Sequence, residues 1–178
     1  MTSRTAETLE IPAAAPPQAE DWSAFRYGVA AHEDIAGLSG REILQRIIDG
    51  HLPHPPICQV LTFRLVAVGE GFAAFEGDTG VHLYNPLGTV HGGWALTMID
   101  SAAGCAGMSL LPAGSGYTTV ETKGNLSRPI RPQTGRVRCE SKVVSQGRQI
   151  ISCEARVTGP DGRLLAHGTS TLFVMAAP

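Results

Sequence analysis

Apolar and polar positions alternate through the C-terminal half of the chain. Val137, Cys139, Ser141 and Val143 fall on one side of an extended segment, with Arg136, Arg138, Glu140 and Lys142 on the other. Ile151, Cys153, Ala155 and Val157 likewise oppose Ser152, Glu154 and Arg156. A period of two places successive side chains on opposite faces of a pleated strand, so each run predicts one buried and one wet face, the habit of antiparallel sheets. Strands are expected over 118–130, 135–146, 148–159 and 162–175, with "TGPDGR" at 158–163 turning between the last two. Upstream, "ICQVLTFRLVAVGEGFAAFEGD" at 57–78 predicts two more strands joined at Gly69–Gly71.

Two segments follow a helical period instead. Ser39 and Glu42 form a capping-box pattern, Leu38 and Ile43 are placed for a hydrophobic staple, and Ile43, Leu44, Ile47 and Ile48 make one apolar face. Gly50 fits the C-terminal end, and the prolines of "HLPHPP" at 51–56 cannot continue the helix. The second segment, 92–108, is crowded with tiny residues: Gly92, Gly93, Ala95, Ala102, Ala103, Gly104, Ala106 and Gly107. Glycine costs about 1 kcal/mol against alanine within a helix, so these positions imply close approach by a surrounding sheet. Trp94, Leu96, Met98, Ile99 and Met108 supply the bulk. The order helix, two strands, central helix, four strands predicts one α+β domain over 39–178, an antiparallel sheet around a long central helix. Residues 1–38, rich in Ala, Pro and acid, read as a flexible or loosely docked arm. The aromatics of "DWSAFRYG" at 21–28 suit packing on the body or on a neighbouring subunit.

Composition removes several function classes. A net charge of −2 over 178 residues argues against non-specific nucleic-acid binding. No apolar run reaches the ~18 residues of a membrane span, and "MTSRTAETLEIPAAAPPQAEDW" lacks the apolar centre of a signal peptide, so a soluble cytoplasmic protein is expected. Cys58, Cys105, Cys139 and Cys153 form no CxxC pair and lie in apolar runs, which suits reduced core thiols. His51, His54 and Cys58 are close in sequence but have poor ligand spacing and no distant completing cluster, so no metal or cofactor is expected.

Chemistry concentrates in "YNPLGTVHGGWALTMIDSAAG" at 84–104. His91-Gly92-Gly93 stands where the helix begins; two glycines let backbone amides approach a ligand, and amides at a helix start attract developing negative charge. That arrangement suits an oxyanion hole for an ester or thioester. Asp100 lies mid-helix among small apolar residues, where a carboxylate needs a partner or a task. Gly92 and Asp100 are eight positions apart, about 12 Å along a helix axis, so both cannot serve one carbonyl from the same chain. Two antiparallel helices from a dimer would bring them together.

These residues, with "TTVETKGNLSRPIR" at 118–131, resemble the hotdog-fold acyl-CoA thioesterases of the phenylacetic-acid-pathway (PaaI-like) type, over about Ser39 to Val174. The resemblance implies a helix wrapped by an antiparallel sheet, homodimers often paired into homotetramers, and hydrolysis of a small-molecule acyl-CoA at the dimer interface. By position, the Gly92 and Gly93 amides would polarise the carbonyl. Asp100 would activate water or act as the nucleophile, Asn85 would orient water or substrate, and His91 would brace the loop or touch the thioester. A strand-initial hydroxyl beside the acid maps to Thr119, with Thr118 as the lesser candidate. A basic rim for the CoA phosphates has Arg128, Arg131, Arg136 and Arg138 as candidates, and Trp94, Leu83 and Tyr84 would shape the acyl pocket. Each has an ordinary alternative: Asn85 as a turn former, His91 as a cap, Thr119 as a strand residue, the arginines as solvated charge. The helix carries no histidine after Asp100, which argues against a dehydratase on the same fold. A non-catalytic acyl-CoA-binding subunit is the remaining rival. Acyl specificity, dimer against tetramer, the pathway and the role of the arm are not written in the residues.

Overall fold

Because the strands at 136–146, 150–158 and 164–175 bury residues at alternate positions over much of their length, the sheet can curl around a single helix. The computed structural model of the chain describes residues 21–175; the predicted arm before residue 21 lies outside the described residues. In chain order the elements are α1 (His32–Ile35), α2 (Gly40–Ile48), α3 (Pro56–Val60), β1 (Phe63–Gly69), β2 (Phe72–Asp78), α4 (Gly92–Met108), β3 (Gly116–Leu126), β4 (Arg136–Gln146), β5 (Ile150–Thr158) and β6 (Leu164–Met175). The six strands form one antiparallel sheet in the order β1-β2-β4-β5-β6-β3, wrapped around α4. This is the α+β hotdog fold expected from the sequence.

Local chemistry sets the elements. Ser39 caps α2 in a full capping box with Glu42, and Gly50 follows its end at φ +76°, where a side chain would be strained. The expected strand from Ile57 is corrected at its start: 56–60 is a short helix. Pro56 occupies a first-turn position, where its preset φ favours a helix and its missing amide costs nothing. β3 also stops at Leu126 rather than running on to Ile130. The Ser127 and Arg128 amides both turn to the Leu165 carbonyl, and Pro129 has no amide to extend the ladder.

The core lies between α4 and the concave face of the sheet. Trp94, Ala95, Met98, Ile99, Ala102, Ala103 and Ala106 are buried against Phe63, Phe75, Val137, Ile151, Val157 and Leu172, and burying a large apolar side chain contributes roughly 1.5–3 kcal/mol. The tiny residues have contacts that explain them. A Cβ at Gly107 would meet Leu172, and one at Gly104 would meet the Tyr117 hydroxyl.

Residues 21–28 pack on the domain itself. Trp22 Nε1 donates to Asp78 Oδ2 at 3.2 Å, Tyr27 bridges to His54 in a parallel pair, and the Arg64 guanidinium sits 5.0 Å from the Phe25 ring centre. One stripe of α4 is only partly covered: Gly93, Leu96, Thr97, Asp100, Ser101, Cys105 and Met108. It lies in a helix packed against β3, one of the sheet's two edge strands, whose one neighbour is β6.

Candidate active site

The start of α4 divides its two glycines between different tasks. His91 is the N-cap, and its Nδ1 accepts the Gly93 amide at 2.9 Å. An accepting Nδ1 carries no proton, so in the neutral ring Nε2 holds it. The Gly93 amide is therefore committed to His91, whereas the Gly92 amide has no acceptor among the described residues. Gly92 opens into a cavity of about 220 Å³ shared with Asn85, Ala95, Leu126 and Arg128. A Cβ at Gly92 would run into the Leu126 side chain, so glycine keeps this approach to the amide open.

His91 and Gly93 face a second cavity, of about 360 Å³, where Leu83, Tyr84 and Trp94 come together with Leu61, His82 and Thr97. Trp94 is fixed there by a 2.7 Å hydrogen bond from Nε1 to the Leu61 carbonyl. Asn85 spends its carboxamide on its own loop. Nδ2 donates to Thr89 Oγ1 at 2.9 Å, and Oδ1 accepts the Leu87 and Thr89 amides at 2.9 and 3.3 Å. It lines the wall of the Gly92 cavity, and the second Nδ2 hydrogen has no acceptor among the described residues.

Asp100, half-buried on α4, is held by a residue the sequence reading missed. Thr122 Oγ1 donates to Asp100 Oδ1 at 2.7 Å, while Oδ2 has no partner among the described residues. Thr119 makes no such bond. The register of β3 against β6 slips between Thr119 and Glu121, so Thr119 opposes Leu172 and Thr122 opposes Ser170. One extra residue at Val120 reverses the parity of everything after it. The signal was present in the charges: unbroken alternation from Thr119 would turn Glu121 and Lys123 inward onto the helix. Nearby, burial, with Cys58 and Asp100 adding to it, pushes the Cys105 thiol up to about 12. Burial likewise raises the Tyr117 phenol.

The expected basic rim is partly rearranged. Arg128 and Arg131 line a cavity of about 490 Å³ together with Arg163, Gln133, Thr134 and Asp161. Arg128, Pro129 and Leu165 also line the Gly92 cavity, so the two adjoin. Arg136 is elsewhere, bound to Asp78 through Nε and Nη2 at 2.8 and 3.0 Å. Arg138 pairs with Glu76 and Glu140, each at 2.8 Å. Arg163 falls where the expected turn at 158–163 meets the expected strand at 162–175, and it was not among the arginines singled out.

Among the described residues, no group of three or more His, Cys, Asp or Glu side chains stands together as a metal site, and no helix is long and apolar enough to cross a membrane. The thioesterase superfamily model matches residues 87–166, from the loop before α4 into β6. No curated protein matches the chain. Among solved structures, a conserved protein from Pseudomonas aeruginosa is 29% identical, with a TM-score of 0.63, over 67% of this chain and 94% of that one. A phenylacetic acid degradation-related protein from Ralstonia eutropha is 23% identical, with a TM-score of 0.66, over 73% of this chain and 98% of that one. A hypothetical thioesterase from Streptococcus pneumoniae, solved with coenzyme A, is 21% identical, with a TM-score of 0.58, over 65% of this chain and 90% of that one. The residues that the thioesterase superfamily model matches thus include the whole of the helix that bears Gly92 and Asp100, within a hotdog fold.

Proposed function

We infer that this protein hydrolyses acyl-CoA thioesters, with Asp100 as the base that activates water. The observation that carries the reading is the state of the Asp100 carboxylate: Oδ1 is fixed by Thr122 and Oδ2 is left for a water, on the partly open stripe of α4. Water bound at Oδ2 loses its proton to Asp100 as its oxygen attacks the thioester carbonyl. The oxyanion that forms is stabilised by the Gly92 amide at the positive end of α4. Collapse of this intermediate breaks the C–S bond, and the CoA sulfur leaves with the proton that Asp100 took from the water, which returns Asp100 to a carboxylate.

One chain does not assemble this centre. Gly92 and Asp100 are eight residues apart on a continuous helix, about 12 Å by helical rise. A second copy supplies the missing half. Pairing edge strand β3 with its counterpart extends the sheet and covers the open stripe of α4, bringing Gly92 of one protomer toward Asp100 of the other. Val120, 63% exposed, and Leu126, 54% exposed, lie on that strand and suit such burial. A homodimer, or a pair of dimers, follows.

The cavity with Arg128, Arg131 and Arg163 suits the phosphates of CoA, and its junction with the Gly92 cavity gives the pantetheine arm a path inward. Leu83, Tyr84 and Trp94 provide an aromatic and aliphatic wall for the acyl group. This suits the phenylacetic-acid-pathway class, and the coenzyme A held by the Streptococcus relative fits the same reading.

Thiol release from phenylacetyl-, benzoyl-, short-chain and medium-chain acyl-CoAs, with wild type and D100A side by side, tests it. Wild-type turnover that falls at least ~100-fold in a folded D100A is the expected result. Binding of CoA esters without wild-type turnover would assign a non-catalytic acyl-CoA-binding subunit instead.

A further inference from the structure

Behind the Asp100–Thr122 pair stands a third hydroxyl. Ser170 on β6, 1% exposed, places its Oγ 3.0 Å from Thr122 Oγ1 and 3.0 Å from the Glu121 carbonyl oxygen. Thr122 and Ser170 are opposite one another in the β3–β6 ladder, just past the bulge. A buried hydroxyl has one proton to give and can accept in return. Ser170 has two acceptors in reach, so its proton can point to either.

Pointed at Thr122, that proton fixes the direction of the Thr122 hydroxyl. Thr122 spends its own single proton on Asp100 Oδ1. The proton taken from water lands on Oδ2, so Oδ1 accepts from Thr122 in both states of the acid. With Ser170 donating to it, Thr122 cannot turn its proton back toward Ser170 and stays aimed at the acid.

We propose that Ser170 is a positioning residue for the water-activating step, holding the Thr122 hydroxyl so that Asp100 keeps its hydrogen bond before and after it accepts a proton. The inference rests on the thioesterase reading above, with Asp100 as base. Ser170 touches neither water nor substrate in this scheme and acts only through Thr122.

A purely structural Ser170 would satisfy the Glu121 carbonyl at the bulge and do nothing more. The two roles separate in a double-mutant cycle of S170A and T122V, read as kcat and KM on the best acyl-CoA substrate. S170A is expected to lower kcat about 10-fold with KM within about 2-fold, and the double variant to match T122V alone, because the residues act as one unit. T122S should restore most of the T122V loss. S170C, which fills the same space with a weak hydrogen-bonding group, is the second variant should S170A fold poorly, and is expected to lose kcat as S170A does. Wild-type kcat in folded S170A or S170C overturns the inference, as do S170A and T122V effects that multiply. If D100A keeps wild-type turnover, the thioesterase mechanism itself fails and this inference falls with it. Loss in D100A with none in S170A removes Ser170 alone.

Discussion

Thr122, on the edge strand, and Asp100, in the middle of the enclosed helix, are joined by a 2.7 Å hydrogen bond that fixes one oxygen of the carboxylate and leaves the other open. The bond exists because β3 is bulged, and a bulge that re-aims a side chain toward a reactive group is a frequent device beside active sites. Thr119, three residues earlier, also faces inward opposite Leu172 but makes no bond to the acid.

The contrast between the two threonines is directly testable. T122V should lower kcat by at least about 10-fold, the scale of losing a bond that orients a general base. T119V should leave kcat within about 2-fold, since valine keeps the shape and the strand preference. Steady-state thiol release measures both; a larger loss in T119V would return the role to the strand-initial hydroxyl.

The same bulge shows where the sequence was legible and where it was not. The alternation in β4 and β5 was readable residue by residue, because Val137, Cys139, Ile151 and Val157 are buried and the charges between them are not. The central helix was readable to its ends, since His91-Gly92-Gly93 marks its start and the tiny residues mark its enclosure. Periodicity does not record an inserted residue, so Thr122 was missed. Nor does it record which arginines share a cavity: Arg128 and Arg131 do so with Arg163, whereas Arg136 pairs with Asp78. The helix at 56–60 escaped because a short apolar run fits strand and helix alike.

Gly104 and Tyr117 test the reason for the small-residue helix. A methyl at position 104 would meet the Tyr117 hydroxyl and ring edge. G104A should destabilise the fold by about 1–3 kcal/mol, the usual scale of overpacking, as read from urea unfolding. The Tyr117 hydroxyl has no hydrogen-bond partner among the described residues, so Y117F alone should cost little. In G104A/Y117F the loss should shrink by roughly half or more, since the closest atom is gone. Equal losses in the single and double variants would place the strain elsewhere.

The arginines divide into two groups with different readouts. R131A and R163A should raise KM for acyl-CoA about 3–10-fold while sparing a truncated N-acetylcysteamine thioester, because each would remove a contact to phosphate only. The KM effect should weaken at high salt. R136A should leave KM unchanged and lower stability by roughly 1–3 kcal/mol, since it strips a two-pronged partner from Asp78, whose side chain is 15% exposed. A KM increase confined to R136A would move the CoA site to the other end of the sheet.

Stability should also fall at alkaline pH, for a reason fixed by the buried thiols. Burial pushes Cys58 and Cys105 up to about 12 and Cys153 up to about 11, from an ordinary value of 9.0. Below pH 9 these thiols hold their protons in folded and unfolded chains alike, so they add no pH dependence. Between about 9 and 12 the unfolded chain releases protons that the folded chain retains, and unfolding becomes easier as pH rises. Each such thiol contributes up to about 1.4 kcal/mol per pH unit in that window. Urea midpoints from pH 8 to 11 should therefore drop more steeply for wild type than for C58A/C105A, after allowing for the cavities those substitutions leave. Parallel slopes would mean that the two thiols titrate alike in both states, and that the enclosure around α4 admits more water than their burial implies.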